Sequence, residues 1–283
     1  MPSPSTATRC SAPRDHGTFP TTYGVFVINL ASATARWDAV AGRLAAAGMT
    51  GTRIEAVNGR ALRLPIPEFD ETRHRLCTGR RPILPEIGCY LSHLAAMDAF
   101  LATADTHGLI LEDDARFDAT LPGVVASALE WADAWDILRL STVGRDRVCR
   151  IVPLDGGRHL GVNLTRTKGS AAYMLNRRAA ETLRRRLVPM CLAYDIAYDL
   201  EYLLGLQALA VSPYPVRQDG EPSQIQSNVA RAKLPATRYL SVFPFRAAVE
   251  TARVVMRCGL AVRTSLAVRR AAHGARRLRL QVP

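Results

Sequence analysis

Gly108-Leu-Ile-Leu-Glu-Asp-Asp114 decides the fold. Four apolar or neutral residues run straight into three consecutive acids. An apolar run this short, bounded by polar residues, reads as a strand buried on both faces. In an open α/β sheet, ligands bind beyond the carboxyl ends of the strands, where this triplet falls. Adjacent carboxylates repel one another and raise each other's pKa values, and a divalent cation reverses that effect. Hard oxygen ligands favour Mg²⁺ or Mn²⁺. The plain alternative is an acidic surface turn, and the triplet alone leaves both open.

Upstream, Tyr23-Gly-Val-Phe-Val-Ile-Asn-Leu30 is a second buried strand. Residues 36–47 have helical spacing and stop at Gly48. Arg53-Ile-Glu-Ala-Val57 is a further strand, closed by the turn pair Asn58-Gly59. Strand, helix and strand within about 35 residues form a βαβ unit with a right-handed crossover. Residues 60–82, with Pro65 and Pro67, read as an irregular excursion, and 85–104 as a helix. Downstream, 121–134 reads as a helix and 136–140 as a strand. The alternation predicts an α/β domain with a mostly parallel sheet flanked by helices.

The chain has 283 residues with 48% hydrophobic content, enough for one large core. Its six cysteines show no C-x-x-C spacing, and reduced, scattered thiols are expected. Residues 1–20, rich in Ser, Thr and Pro, lack an apolar signal-peptide core and read as a flexible leader. No stretch of 18 uncharged apolar residues predicts a membrane span. The net charge of +12 is uneven. Residues 231–283 carry twelve Arg or Lys and a single acid, Glu250, a surplus of eleven; residues 1–230 carry 25 basic and 24 acidic side chains and are nearly neutral.

In order along the chain, several blocks resemble glycosyltransferase family 25, whose members include lipopolysaccharide-biosynthesis transferases. They are Val27-Ile-Asn-Leu30 with Arg36-Trp37, Arg53-Ile-Glu-Ala-Val-Asn-Gly59, and the most specific block, Glu86-Ile-Gly-Cys-Tyr-Leu-Ser-His93. Leu109-Ile-Leu-Glu-Asp-Asp-Ala115, Gly169-Ser-Ala-Ala-Tyr173 with 177–183, Asp195 and 215–227 follow. The resemblance covers about residues 23–228. Asn176 and Ala179 depart from it, as does the loop at 60–82, but no acid is missing.

The resemblance implies a GT-A-like fold over 21–230, a UDP-sugar donor and Mn²⁺ (or Mg²⁺). It points to Asp114 first as a metal ligand, with Asp113 sharing the metal or contacting the ribose, and Glu112 supporting them or contacting the donor sugar. A bound cation would neutralise the departing diphosphate. Asn29 and Arg36 follow the first strand, and Arg36 is either a bidentate phosphate partner or a surface charge. Asn58 belongs with the donor-side residues. Gly88 permits close packing or close approach of a ligand. Ser92 and His93 lie on the helix behind the acids, with His93 read as a buried histidine hydrogen-bonded to the acidic loop or as a nucleotide contact. Lys168, beside Gly169, is a phosphate contact or a solvated lysine.

An inverting transfer requires a carboxylate to take the acceptor proton. Asp195 and Asp199 are the candidates, placed on one helix face by their i, i+4 spacing. Asp195 carries the family's support; its plain alternative is a helix cap.

In residues 243–268, Arg246, Arg253 and Arg257 fall within about 40° of one another at 100° per residue. This predicts a basic amphipathic helical tail over 231–283, suited to an anionic membrane surface, with a solvated tail as the alternative. Few aromatics interleave the cations, which argues against nucleic acid. The expected activity is hexose transfer, such as galactose, from a UDP-sugar to a lipopolysaccharide or lipooligosaccharide hydroxyl. The expected location is cytoplasmic, peripheral on the inner membrane. The rivals are a metal-dependent nucleotidyltransferase and an inactive relative that still binds sugar nucleotides.

Overall fold

Strand β1 (Tyr23–Asn29) alternates its side chains between two cores. Val25 and Val27 face one, Phe26 and Ile28 the other, and all four are buried. The same split recurs at Leu109 and Leu111 against Ile110. Strands covered on both faces need apolar residues at every position, which is why these segments read as continuous rather than alternating runs. The computed structural model describes residues 21–218 and 232–279, with side chains described to 270. The proposed leader therefore lies outside the described residues, as do residues 219–227 of the last resemblance block.

After β1 come α1 (Thr34–Ala46), β2 (Thr52–Glu55), α2 (Glu71–Thr78), α3 (Leu84–Leu101), β3 (His107–Glu112), β4 (Ala115–Arg116) and α4 (Leu121–Leu129). Then follow β5 (Ile137–Arg139), β6 (Val148–Pro153), β7 (His159–Asn163), β8 (Ala172–Asn176), α5 (Arg177–Arg186) and α6 (Tyr194–Ala197), which runs on as a 3₁₀ turn over Tyr198–Leu204. Strands β9 (Ala208–Ser212) and β10 (Arg217–Gln218) precede the long α7 (Tyr239–Arg279). Eight strands form one sheet in the order β2-β1-β3-β8-β5-β9-β7-β6, while β4 and β10 pair separately. Helices α1 and α4 cover one face, through Val40, Leu44, Leu121 and Val125. Helices α3, α5 and α6 cover the other, through Ile87, Met97, Ala180 and Tyr194.

The sheet is mixed rather than mostly parallel. The pairs β1–β2, β1–β3 and β5–β9 are parallel, but β8 inserts antiparallel between β3 and β5, and β7 runs antiparallel to both β9 and β6. Between β5 and β8 the chain makes the β6–β7 hairpin at the sheet's edge and returns, so β8 enters from the opposite end.

Two further expectations are corrected. Residues 60–82 contain α2, a mostly polar helix without apolar periodicity, set by its caps. Asp70 accepts the Arg73 N–H at 2.8 Å, and Gly79 stops the helix at φ +65°. The helix expected over 121–134 ends at Leu129, and a separate 3₁₀ turn covers Ala132–Ala134. The break lets Trp135 fold back into the core, its indole N–H donating to the Ala128 carbonyl at 3.2 Å.

Helix α7 docks on the domain instead of standing off as a separate tail, packing on α2, the 3₁₀ turn, β6 and β7. Arg253 and Arg257 point inward and are 1% and 2% exposed. The expected basic face is thus not the solvent face. None of the five described cysteines is in a disulfide, and no helix among the described residues is long and apolar enough to cross a membrane.

Candidate active site

From β1 the chain moves outward to β2, then crosses back so that β3 lies on β1's other side. The crevice between the carboxyl ends of β1 and β3 is the topological switch point, where α/β sheets bind ligands. Asn29 ends β1 and Asp113 follows β3. They meet there, Asn29 Nδ2 donating to Asp113 Oδ2 at 2.6 Å. Arg36, 52% exposed, approaches the other Asp113 oxygen at 3.1 Å. Arg53 donates to Asn29 Oδ1 at 2.5 Å and tethers β2 to the same point.

The three acids have different surroundings. Glu112 accepts from the Ser170 hydroxyl at 2.6 Å and lies 3.4 Å from His93 Nε2. Burial alone would raise its pKa, but the hydrogen bonds and charge from His93, with Ser170 and Arg36, hold it below the usual carboxylate value. Burial raises Asp113 despite its bonds to Asn29 and Arg36. Asp114 is pushed up to about 7, first by burial and then by the charge of Glu112. Gln218 donates to its Oδ2 at 2.9 Å, while its buried Oδ1 has no hydrogen-bond partner.

That unsatisfied oxygen bears on whether a metal fits. Among the described residues no group of three or more His, Cys, Asp or Glu side chains is placed to hold a metal ion. Mg²⁺-type sites commonly take one or two carboxylates and fill the remaining positions with substrate phosphates and water. Asp114 Oδ1 suits such an open site, and Asp113 can join if Arg36 turns to a phosphate. Glu112 is engaged with Ser170 and His93.

Behind the acids, the residues expected on the donor side shape the crevice. Gly88 and Gly59 bring α3 and the turn after β2 into backbone contact: a Cβ on Gly88 would lie 2.6 Å from the Gly59 nitrogen, and one on Gly59 2.1 Å from the Leu84 oxygen. Gly88 therefore serves close packing. Ser92 accepts from the Val57 N–H at 2.8 Å and donates to the Gly88 carbonyl at 2.7 Å, pinning the turn that follows β2. Asn58 caps the next turn, accepting from the Arg60 N–H at 3.1 Å. An open cleft of about 480 Å³, lined by residues 30–32 and 55–58, lies beside these groups.

His93 is fully buried and supports the loop. Its Nδ1 lies 2.9 Å from the Tyr173 hydroxyl, and its ring stacks on Tyr194 at 3.9 Å. Tyr194 stacks on Tyr198, and the Arg139 guanidinium lies 4.3 Å from the Tyr198 ring centroid. This column links the acidic loop to α6 and to β5.

Asp195 and Asp199 are separated by their environments. Asp195, in the first turn of α6, is partly exposed. Its Oδ2 accepts from the Gly169 N–H at 3.3 Å, and burial raises its pKa above the usual value, against the effect of that bond. Lys168 is exposed on the same loop. Asp199 is fully buried. It pairs with Arg139 at 3.0 Å, with Arg257 at 2.9 Å and with Arg253. Glu201 joins Arg139 at 3.0 Å and Arg257 at 2.8 Å. With both oxygens held by arginines and no solvent access, Asp199 is a structural anchor and not a free base. The single helix face expected for the two acids is also broken by the change to 3₁₀ geometry at Tyr198.

Sequence reasoning did not assign Ser170, Tyr173, Gln218, Arg53, Arg139 or Glu201. Ser170 and Tyr173 lie within a block that resembled the family, which was the available signal. Nothing local marks Arg139, on a short apolar strand, as a partner for acids sixty residues on.

The fold and site define an α/β protein with an acidic crevice at its switch point, beside an open cleft of about 480 Å³. A profile described as glycosyltransferase family 25 (LPS biosynthesis protein) matches residues 23–198, and the chain belongs to that family. Among curated proteins, the probable inactive glycosyltransferase 25 family member 3 of Bos taurus is 27% identical over 137 residues, 44% of this chain. The inactive glycosyltransferase 25 family member 3 of Homo sapiens is 28% identical over the same length. The chain spans about a fifth of these relatives, 22% of each. Among solved structures, the crystal structure of A197 from STIV aligns with a TM-score of 0.38 and 10% identity, covering 67% of this chain and 81% of that one.

Proposed function

We propose that the protein is an active, metal-dependent hexosyltransferase of GT-A type. It would move a hexose such as galactose from a UDP-sugar to a hydroxyl of lipopolysaccharide or lipooligosaccharide, at the cytoplasmic face of the inner membrane. The observation that carries the reading is the buried, unpartnered Oδ1 of Asp114 beside two further carboxylates at the switch point. A cation there would satisfy that oxygen and relieve the repulsion among the three acids.

Bound there through Asp114, with Asp113, Mn²⁺ or Mg²⁺ would supply positive charge to the leaving diphosphate. Arg36 is exposed enough to turn from Asp113 to a phosphate oxygen. Asn29 and Arg53 hold the end of β1, and Asn58 borders the cleft for the nucleoside. Ser170 and His93 keep Glu112 ionised and oriented. Lys168, on the same loop as Gly169, is within the region a phosphate would approach.

Asp195 is the base. It borders the loop at Gly169 on the acceptor side, and burial leaves its carboxylate more basic than usual. Direct attack by the acceptor hydroxyl as Asp195 takes its proton inverts the anomeric carbon. The names of the curated relatives favour a second reading, binding without turnover.

The test is UDP release from a panel of UDP-sugars, with Mn²⁺, with chelator and with Asp114→Ala. Metal-dependent release lost in the variant supports transfer. Calorimetric binding of UDP and Mn²⁺ without release, even with glycolipid acceptor, supports the inactive reading. Binding of neither overturns both.

A further inference from the structure

Helix α7 is amphipathic in the reverse sense from its composition. The stripe facing the domain runs through Val242, Phe245, Arg253, Arg257, Leu260 and Thr264, at helical spacing, and includes the two buried arginines. The opposite stripe is apolar and exposed: Leu240 83%, Phe243 57%, Val254 54%, Val255 64%, Val262 59% and Leu266 47%. At 100° per residue these six fall within an arc of about 140°. No charged residue between 240 and 268 lies on that arc. At 1.5 Å per residue the stripe is about 40 Å long. It widens where Leu203, 52% exposed, meets Ala248, Ala252 and Met256 around an open cleft of about 730 Å³.

Charge decides what covers this face. Arg246 and Arg263 are exposed on the same helix outside that arc, Glu250 at the arc's edge is paired with Arg253, and residues 231–283 carry a surplus of eleven positive charges. Asp199 and Glu201 are shared among Arg139, Arg253 and Arg257 and so offset little of that surplus. Two copies laid face to face would bring two such cationic segments together, which Coulomb repulsion opposes. A long uncharged apolar stripe on a helix with a positive surplus matches the acyl boundary and headgroups of an anionic bilayer.

We propose that the outward face of α7 is a docking surface for an anionic lipid membrane, with its apolar stripe in the interface and its arginines on the headgroups. The buried arginines then have a distinct task. They clamp α7 to the 3₁₀ turn directly after α6, so a helix lying on the membrane holds the Asp195 side of the crevice at a fixed height above the bilayer. This binding does not depend on the activity proposed above.

The experiment is vesicle flotation of the full chain on phosphatidylglycerol-containing and pure phosphatidylcholine vesicles, with light scattering to give mass in solution. Thermal melts check that each variant is folded. The wild type should float with the anionic vesicles and at least about tenfold less with neutral ones. Val255→Glu with Val262→Glu should lower anionic binding at least about tenfold, since charge on the apolar stripe opposes insertion. Arg246→Gln with Arg263→Gln, which leaves the stripe intact, should weaken anionic binding selectively. Unchanged flotation of the Val255/Val262 variant, or equal flotation on both vesicle types, overturns the proposal. A wild-type dimer that the Val255/Val262 variant makes monomeric, without change in flotation, assigns the face to a second copy instead.

Discussion

Arg257 Nη2 lies 2.9 Å from Asp199 Oδ1 and 2.8 Å from Glu201 Oε1, joining the last helix to the turn behind α6 with every partner buried. The same guanidinium donates to the backbone oxygens of Asp199 and Thr165. Truncating one member of such a cluster strands the others in a poorly solvating interior. Arg257→Ala should therefore lower unfolding stability by about 3–5 kcal/mol. Urea denaturation read by far-ultraviolet dichroism gives the value. A loss below about 1 kcal/mol, the scale of surface pairs, would show that α7 is not clamped as described.

Asp195 and Asp199 stand four residues apart, and their variants should fail in different ways. Asp195→Asn removes a proton acceptor from a partly exposed site. It should lower kcat about 10²–10⁴-fold with little change in melting temperature. Asp199→Asn keeps the shape but leaves Arg139, Arg253 and Arg257 short of negative charge, so it should lower the melting temperature. Steady-state transfer assays beside thermal melts separate the two. A stable Asp199→Asn protein with abolished kcat, and an active Asp195→Asn protein, would reverse the assignment.

Part of this was legible in the sequence and part was not, for physical reasons. Strands β1 and β3 announce themselves because both faces are buried, and the acids at the end of β3 mark the ligand edge without knowledge of the sheet order. Local spacing could not reveal that β8 enters antiparallel, since strand direction is set by the excursion through β6 and β7. Helix α2 escaped notice because its polar surface hides a helix fixed by Asp70 and Gly79. Arg253 and Arg257 read correctly as sharing one face, yet that face turns inward. Their partners, Asp199 and Glu201, lie more than fifty residues earlier, beyond any helical periodicity.

The contact between Gly88 and Gly59 leaves no room for a side chain. Gly88→Ala would set a methyl group against the Gly59 nitrogen and the Val57 oxygen, both 2.6 Å away. Overpacking of this kind typically costs about 1–3 kcal/mol. Moving α3 away also breaks the Ser92 bond to Val57 and displaces the turn at Asn58 beside the proposed nucleoside cleft. The variant should lose stability within that range and raise KM for the donor more than it lowers kcat. A normal donor KM in the destabilised variant would detach this turn from donor binding.

His74 gives a pH signature that does not involve the site. It is buried on α2 with its ring 5.3 Å from Phe69, and burial, then the charge of Arg80, lowers its pKa below 6.5, against the opposing pull of the Arg81 and Cys191 backbone and, last, the charge of Glu71. His107 is lowered by burial too, and the nearby charge of Asp133 opposes the shift. A histidine whose folded pKa is depressed binds its proton more readily in the unfolded chain, so its stability contribution is intact above about 6.5 and declines as pH falls below that value. The decline levels off once pH passes beneath the lowered folded pKa. His74→Gln removes the titrating group, so the variant should lose less stability than the wild type between pH 7 and pH 5, whatever its stability at neutral pH. Urea midpoints across that range measure the difference. Parallel curves would mean that His74 takes up its proton in the folded state as easily as in the unfolded chain, and so would contradict its burial among Phe69 and Arg80.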